Sequence, residues 1–194
     1  HRGGPVRELL GNLRFVLFLA AAGLILGSHG AYYSLSTNDW HRHGIDELTA
    51  GLLWAEGIIA EVAFFWFARR RLAHLRPTTL ILVGGCSAVL RWLGLGATHD
   101  VGLLAALNWL HAVSFACTFL GAVQYVHKRV PDHQRATGQG LLGAISSGVC
   151  TALATMLAAF VYRDAGGHAY LAMAALAAAG TLLTLVVRRM PYSL

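Results

Sequence analysis

Five residues carry the chemistry in this sequence: His29, Glu56, Glu61, Arg91 and His111, each set within a long apolar run. A charged side chain at mid-bilayer costs about 2.5–3.5 kcal/mol on insertion scales, so one found there by default marks a pathway or a relay. A carboxylate, a guanidinium and an imidazole in one low-dielectric layer form a set whose protonation switches as partners move. Desolvation favours the neutral acid, and a neighbouring cation favours the carboxylate. Histidine as a class titrates near neutrality. The bland alternative is a static pair, Glu56 or Glu61 with Arg91, that holds helices together.

The elements that position these residues follow from hydropathy. The chain has 194 residues, 56% hydrophobic and 12% charged, with mean hydropathy +0.56. That excludes an ordinary soluble domain, a disordered chain and a nucleic-acid module. A span needs roughly 20 mostly apolar residues. Six stretches qualify, at about 13–35, 48–68, 77–97, 102–126, 137–161 and 168–187. Residues 1–12 and 188–194 are read as cytoplasmic ends, the first as the central loop of a longer chain. The expected class is therefore an all-α polytopic membrane protein with six transmembrane helices.

Basic residues set the orientation. Arg2, Arg7, Arg14, Arg69, Arg70, Arg71, Arg76, Lys128, Arg129, Arg135, Arg188 and Arg189 fall on one side, against Arg42 and Arg163 on the other. Both termini are expected in the cytoplasm, and the protein in the inner (plasma) membrane. The arginine runs are read as topology signals and headgroup contacts. With that topology and ~1.5 Å rise per residue, Glu56, Arg91, His111 and His29 come out roughly 9–14 Å below the outer surface, in one layer. Glu61 lies ~7.5 Å deeper and about 140° around its helix, so it is expected to meet a different neighbour. His29 could equally sit at a helix end and snorkel outward.

Span four carries a polar stripe, Asn108, His111, Ser114 and Thr118, at three- and four-residue spacing. Span five pairs Ser147, Thr151 and Thr155 with Gly140, Gly143 and Gly148, read chiefly as a packing surface. Span six, rich in alanine, is expected to be peripheral. No cofactor or metal is expected. Cys86, Cys117 and Cys150 lie in separate apolar runs without ligand spacing. GAISSG at 143–148 lacks the spacing of an intramembrane serine nucleophile. His41, Arg42 and His43, near Asp39 and Asp46, are read as a solvated loop rather than a metal site. His29 and His111 could supply an axial haem pair, though that leaves Glu56 and Arg91 without a role.

SHGAYYSL at 28–35, WAEGIIAEVAFF at 54–65, LRWLG at 90–94, LHAVSF at 110–115, QYV at 124–126 and RVP at 129–131 together resemble a known family. They are similar to the C-terminal six-helix half of major facilitator superfamily transporters, of the lactose permease and phenylpropionic acid permease kind. The resemblance implies two inverted three-helix units, with substrate held between this half and an N-terminal six-helix half. It implies proton symport of a small, aromatic acid-like anion by alternating access, not enzyme catalysis. The expected partners are that solute, protons, the lipid bilayer and the other half, with no nucleic acid. Glu56, Arg91 and His111 match the second-helix Glu, third-helix Arg and fourth-helix His of the sugar and proton site. Arg91 would hold an anionic group or the coupling carboxylate, Glu56 would be the proton or substrate carboxylate, and His111 would couple them. Asn108 and Tyr32 would line the cavity. The chain departs from the lactose permease pattern at Ser114, where that pattern has a carboxylate, and at Asn108, where it has a lysine. Glu61 or His29 is the expected replacement for the missing carboxylate. A sugar is the alternative substrate. A self-contained six-helix redox or structural subunit is the alternative protein.

Overall fold

Helix ends fall where the backbone chemistry puts them in this computed structural model, which describes residues 4–72 and 74–191. The extreme ends of the two terminal segments, and the side chains of Arg69 and Arg70, lie outside the described residues. Helix α1 (Pro5–Gly11) begins on proline at its first turn and stops at Asn12. The Asn12 side chain then caps α2 (Leu13–Gly27) by accepting from the Phe15 amide at 3.0 Å. Gly44, at φ +84°, closes α3 (Gly30–Arg42) in a left-handed conformation that favours glycine. Asp46 opens α4 (Glu47–Leu72): its carboxylate accepts from the Thr49 amide and hydroxyl, which holds its pKa below the ordinary value. Pro77 starts α5 (Pro77–Leu95), and Asp100 caps α6 (Val101–Arg129) through the Leu103 amide.

Among the described residues, five helical segments are long and apolar enough to cross a membrane. The last, Asp132–Arg189, has 58 residues, about three times what one crossing needs. Gly166, at φ +54°, breaks it and divides it into two spans. Span five is α7 (Arg135–Gly143), a π-helical stretch over Ala144–Cys150, and α8 (Thr151–Ala165); span six is α9 (Ala169–Arg189). Span one is α2 plus α3, broken at Ser28–His29 and carried on to Arg42, seven residues beyond the expected end. Those added residues are polar yet remain helical because Ser36, Asp39 and Trp40 are buried against other spans.

The packing is symmetric under exchange of the first three spans for the last three. Span two packs on span four as span five packs on span one. Span three packs on span four as span six packs on span one, and spans three and six meet each other. Because successive spans run antiparallel, a three-span unit hands the chain to its repeat on the opposite face. This is the inverted architecture of secondary transporters. Glycine makes both equivalent contacts close. A Cβ on Gly84 of span three would strike the Thr118 hydroxyl and amide of span four. One on Gly180 of span six would lie 2.7 Å from the Ala21 carbonyl of span one.

Two expectations change here. Span six is not peripheral: Met173, Ala177, Thr184 and Val187 are buried, because small residues let its backbone approach spans one and three. In span five, Gly140, Gly143 and Gly148 face open space, and only Thr151 and Thr155 pack, against Gly30. The two glycine classes predict opposite signs for one substitution. Gly84→Ala is expected to lower stability by about 1–3 kcal/mol through overpacking. Gly51→Ala, with nothing within 4 Å of the added methyl, should raise it by up to about 1 kcal/mol. Unfolding midpoints of the detergent-solubilised protein test this, and equal shifts would refute the packing account.

Candidate functional site

The break in span one builds the site. Ser28 turns its hydroxyl back to the Ile25 carbonyl at 2.6 Å and accepts from the Trp92 indole at 2.9 Å. That bond seats span one against span three, one residue from Arg91. His29 is fully buried and engaged through both ring nitrogens, with Ile25 O at 3.1 Å and Ser114 Oγ at 3.2 Å. It is therefore not a snorkelling helix-end residue, and it has no free nitrogen for a haem iron.

One turn on, the Tyr32 hydroxyl donates to Asn108 Oδ1 at 3.0 Å, and Asn108 Nδ2 donates to the Leu53 carbonyl at 2.9 Å. Spans one, two and four are thus joined by two buried hydrogen bonds. Ser114 donates to the His111 carbonyl and Thr118 to the Ser114 carbonyl. The span-four stripe is buried throughout, and each member meets a different neighbour.

Arg91 is 0% exposed. Its Nε donates to the Leu107 carbonyl at 3.2 Å, while Nη1 and Nη2 have no hydrogen-bond partner among the described residues. The guanidinium carbon lies 4.1 Å from the Tyr32 ring centroid and 4.6 Å from that of Trp92. Among the described residues no carboxylate forms an ion pair with it, so the static Glu–Arg pair is not formed. The charge is held by two aromatic faces and one carbonyl. Its two terminal nitrogens can accept a bidentate anion.

The carboxylates are placed differently from the expectation. Glu56 accepts from the Trp109 indole at 2.7 Å, at the half-exposed seam of α4 and α6. Glu61, expected to meet a different neighbour, instead lies 3.6 Å from His111 Nε2. Helix α4 packs on α6 so that Glu61, the later of its two carboxylates, reaches the imidazole. His111 Nδ1 is buried without a partner. His29 and His111 rings stand 5.4 Å apart, so Glu61, His111, His29 and Ser114 form one group where the resemblance lacks a carboxylate. Tyr33, Trp54 and Phe115 complete an aromatic wall around Tyr32, His29 and His111.

Three features escaped the sequence reading. The Trp109–Glu56 bond joins residues whose relation depends on helix rotation. The π-helical stretch faces the span-one break, with Cys150 against Gly23 and Gly27; its only sequence signal is the small-residue run at 143–148. The third is a cluster of Asp39 with His43, His99 and Tyr162.

Fold and site define a multi-pass membrane transporter half, built of two inverted three-helix units. The chain belongs to the MFS_1 like family, whose model matches residues 5–173; the family is one of transporters, not enzymes. It is similar to the probable 3-phenylpropionic acid transporter of Escherichia coli (strain K12), 29% identical over 160 residues, which cover 82% of this chain and 42% of that protein. It is also similar to the uncharacterized transporter YwbF of Bacillus subtilis (strain 168), 25% identical over 187 residues, covering 94% and 46%. The chain thus spans less than half the length of these relatives.

The buried network makes a stability prediction. Asn108→Leu strands the buried Tyr32 hydroxyl, worth about 1–3 kcal/mol when left unsatisfied, and also removes the added bond to the Leu53 carbonyl. Tyr32→Phe removes one bond and should cost less. Thermal unfolding that ranks Tyr32→Phe as the more damaging change would contradict this network.

Proposed function

We propose that this chain is the C-terminal half of a proton-coupled symporter for a small, aromatic acid-like anion, working by alternating access. The observation that carries the proposal is Arg91, buried with two unpartnered nitrogens inside an aromatic shell. A carboxylate would bind the guanidinium fork, and a flat ring would stack on Tyr32, Tyr33 or Phe115. The printed name of the Escherichia coli relative supports this substrate class. Tyr32, whose ring covers the guanidinium, would shift to admit the anion. Asn108 positions Tyr32, and the bare His111 Nδ1 offers the substrate a second hydrogen bond.

Glu61 takes the proton-coupling role on this reading. It is partly exposed and, among the described residues, paired only with His111, so proton uptake costs one weak partner. His29 packs beside the His111 ring, and Ser114 joins the His29 ring to the His111 backbone carbonyl. Glu56, held by the Trp109 indole, steadies spans two and four at the site's rim and is not the coupling carboxylate. The N-terminal six-helix half would cover the open faces of spans two and five, where Ile58, Val62, Leu153 and Met156 are exposed. The surrounding bilayer is the inner (plasma) membrane, with both termini in the cytoplasm. The grounds for that orientation are the basic clusters at one end of the bundle.

The test is transport by the full-length protein in proteoliposomes, with 3-phenylpropionate as probe. Arg91→Lys, which loses the planar fork, is expected to weaken anion binding at least roughly tenfold, with normal insertion. Glu61→Gln should abolish uphill uptake while preserving counterflow, and Glu56→Gln should retain both. Uphill uptake by Glu61→Gln, or unchanged binding in Arg91→Lys, would overturn the assignment.

A further inference from the structure

We infer that Asp39, His43 and His99 form a site for a borderline transition-metal dication of the Zn2+ class. It lies at the end of the bundle opposite both termini, away from the Arg91 and Glu61 groups. One ligand atom from each of the three residues lies within 4.8 Å of the other two. His99 Nε2 is 3.2 Å from Asp39 Oδ2, the separation of two ligands sharing a tetrahedral ion at bond lengths of about 2 Å. Asp39 is 1% exposed, and among the described residues its only ion-pair partners are the two histidines. A desolvated carboxylate flanked by two imidazoles lacks a fixed cation; Arg42 is turned to the Tyr162 ring instead, at 5.3 Å.

The surroundings are those of a metal site. The Tyr162 hydroxyl donates to Asp39 Oδ1 at 3.0 Å, fixing the carboxylate so that Oδ2 remains for His99. His43 Nδ1 donates to the Asp39 backbone carbonyl at 2.7 Å, which leaves Nε2 of the neutral ring with its lone pair. Ligating histidines characteristically anchor their second nitrogen in this way. The two imidazoles stack, centroids 3.4 Å apart and planes 14° from parallel. Both are partly exposed, which gives each ring room to swing onto an ion. Two nitrogens and one oxygen suit Zn2+ or Co2+, not Ca2+ or Mg2+, which take oxygen ligands. Three protein ligands leave the fourth position to water.

From sequence alone, His41 and His43 near Asp39 and Asp46 are considered as a metal site and read as a solvated loop. The structure sets His99, from the link between spans three and four, beside Asp39 and His43, while Asp46 caps α4. A bound ion would fasten that link to the end of span one, and through Tyr162 to the end of span five.

Titration of the purified full-length protein with Co2+ and then Zn2+ tests the inference. One equivalent of Co2+ should bind with the visible absorption of a low-symmetry nitrogen–oxygen site, and Zn2+ should displace it. His99→Ala and His43→Ala should each weaken Zn2+ binding roughly tenfold or more, while His41→Ala binds as the unmodified protein does. Both histidine variants replace partly exposed side chains, so folding is retained even if Asp39→Asn fails to fold. Absence of saturable binding, wild-type affinity in His99→Ala, or equal loss in His41→Ala would overturn the site.

Discussion

Burying one guanidinium in the membrane layer is the constraint on which the rest of the site depends. Arg91 costs several kcal/mol to place there without a carboxylate, and its surroundings are arranged to lower that cost. Tyr32 and Trp92 present ring faces, and the Leu107 carbonyl accepts from Nε. Both rings are themselves held by a polar bond. Trp92 is seated by Ser28 and Tyr32 by Asn108. Ser28 and Tyr32 lie one turn apart on the same face of span one, so the first seats Trp92 and the second covers the guanidinium.

A second layer of constraint comes from the scaffold. The two three-span units meet through contacts so close that glycine occupies both equivalent positions, Gly84 and Gly180. Such contacts resist sliding, because interiors packed to this density are not continuously deformable. The faces of spans two and five that look away from the unit carry large apolar side chains or bare glycines instead. The bundle thus has a rigid interior and two open flanks. The π-helical stretch of span five lies against the break in span one, where irregular backbone on both sides gives the least regular packing.

Much of this was legible in the residues. Six spans followed from hydropathy, and the polar stripe of span four from its periodicity. Depth counting put Glu56, Arg91, His111 and His29 in one layer; the structure gathers the last three around Tyr32 and Trp92 and sets Glu56 on Trp109. What failed was azimuth. Depth along a helix comes from counting, but which carboxylate faces which partner depends on helix rotation and crossing angle, and these are set by packing. Hence Glu61 and not Glu56 meets His111, and Trp109, absent from the expected site, holds Glu56. The length of span one was misjudged for a related reason. Residues 36–42 are polar by composition, and only tertiary burial of Ser36, Asp39 and Trp40 keeps them helical.

The separation of Arg91 from Glu61 has a consequence for coupling on the proposed reading. Empty, the two groups carry opposite charges and sum to zero. With an anion on Arg91 and a proton on Glu61, each is neutralised and the sum is again zero. With only one ligand bound, the pair carries a net unit charge. A half-loaded site must then carry that net charge through the low-dielectric layer to change access, which the empty and doubly loaded sites need not. An Arg91–Glu61 salt bridge would weaken that rule, because each group would already satisfy the other and an anion would have to displace the carboxylate. Holding Arg91 on aromatic faces and Glu61 on a histidine keeps both charges available. The two loads are then tied together by the membrane's low dielectric and need no direct contact between their binding groups.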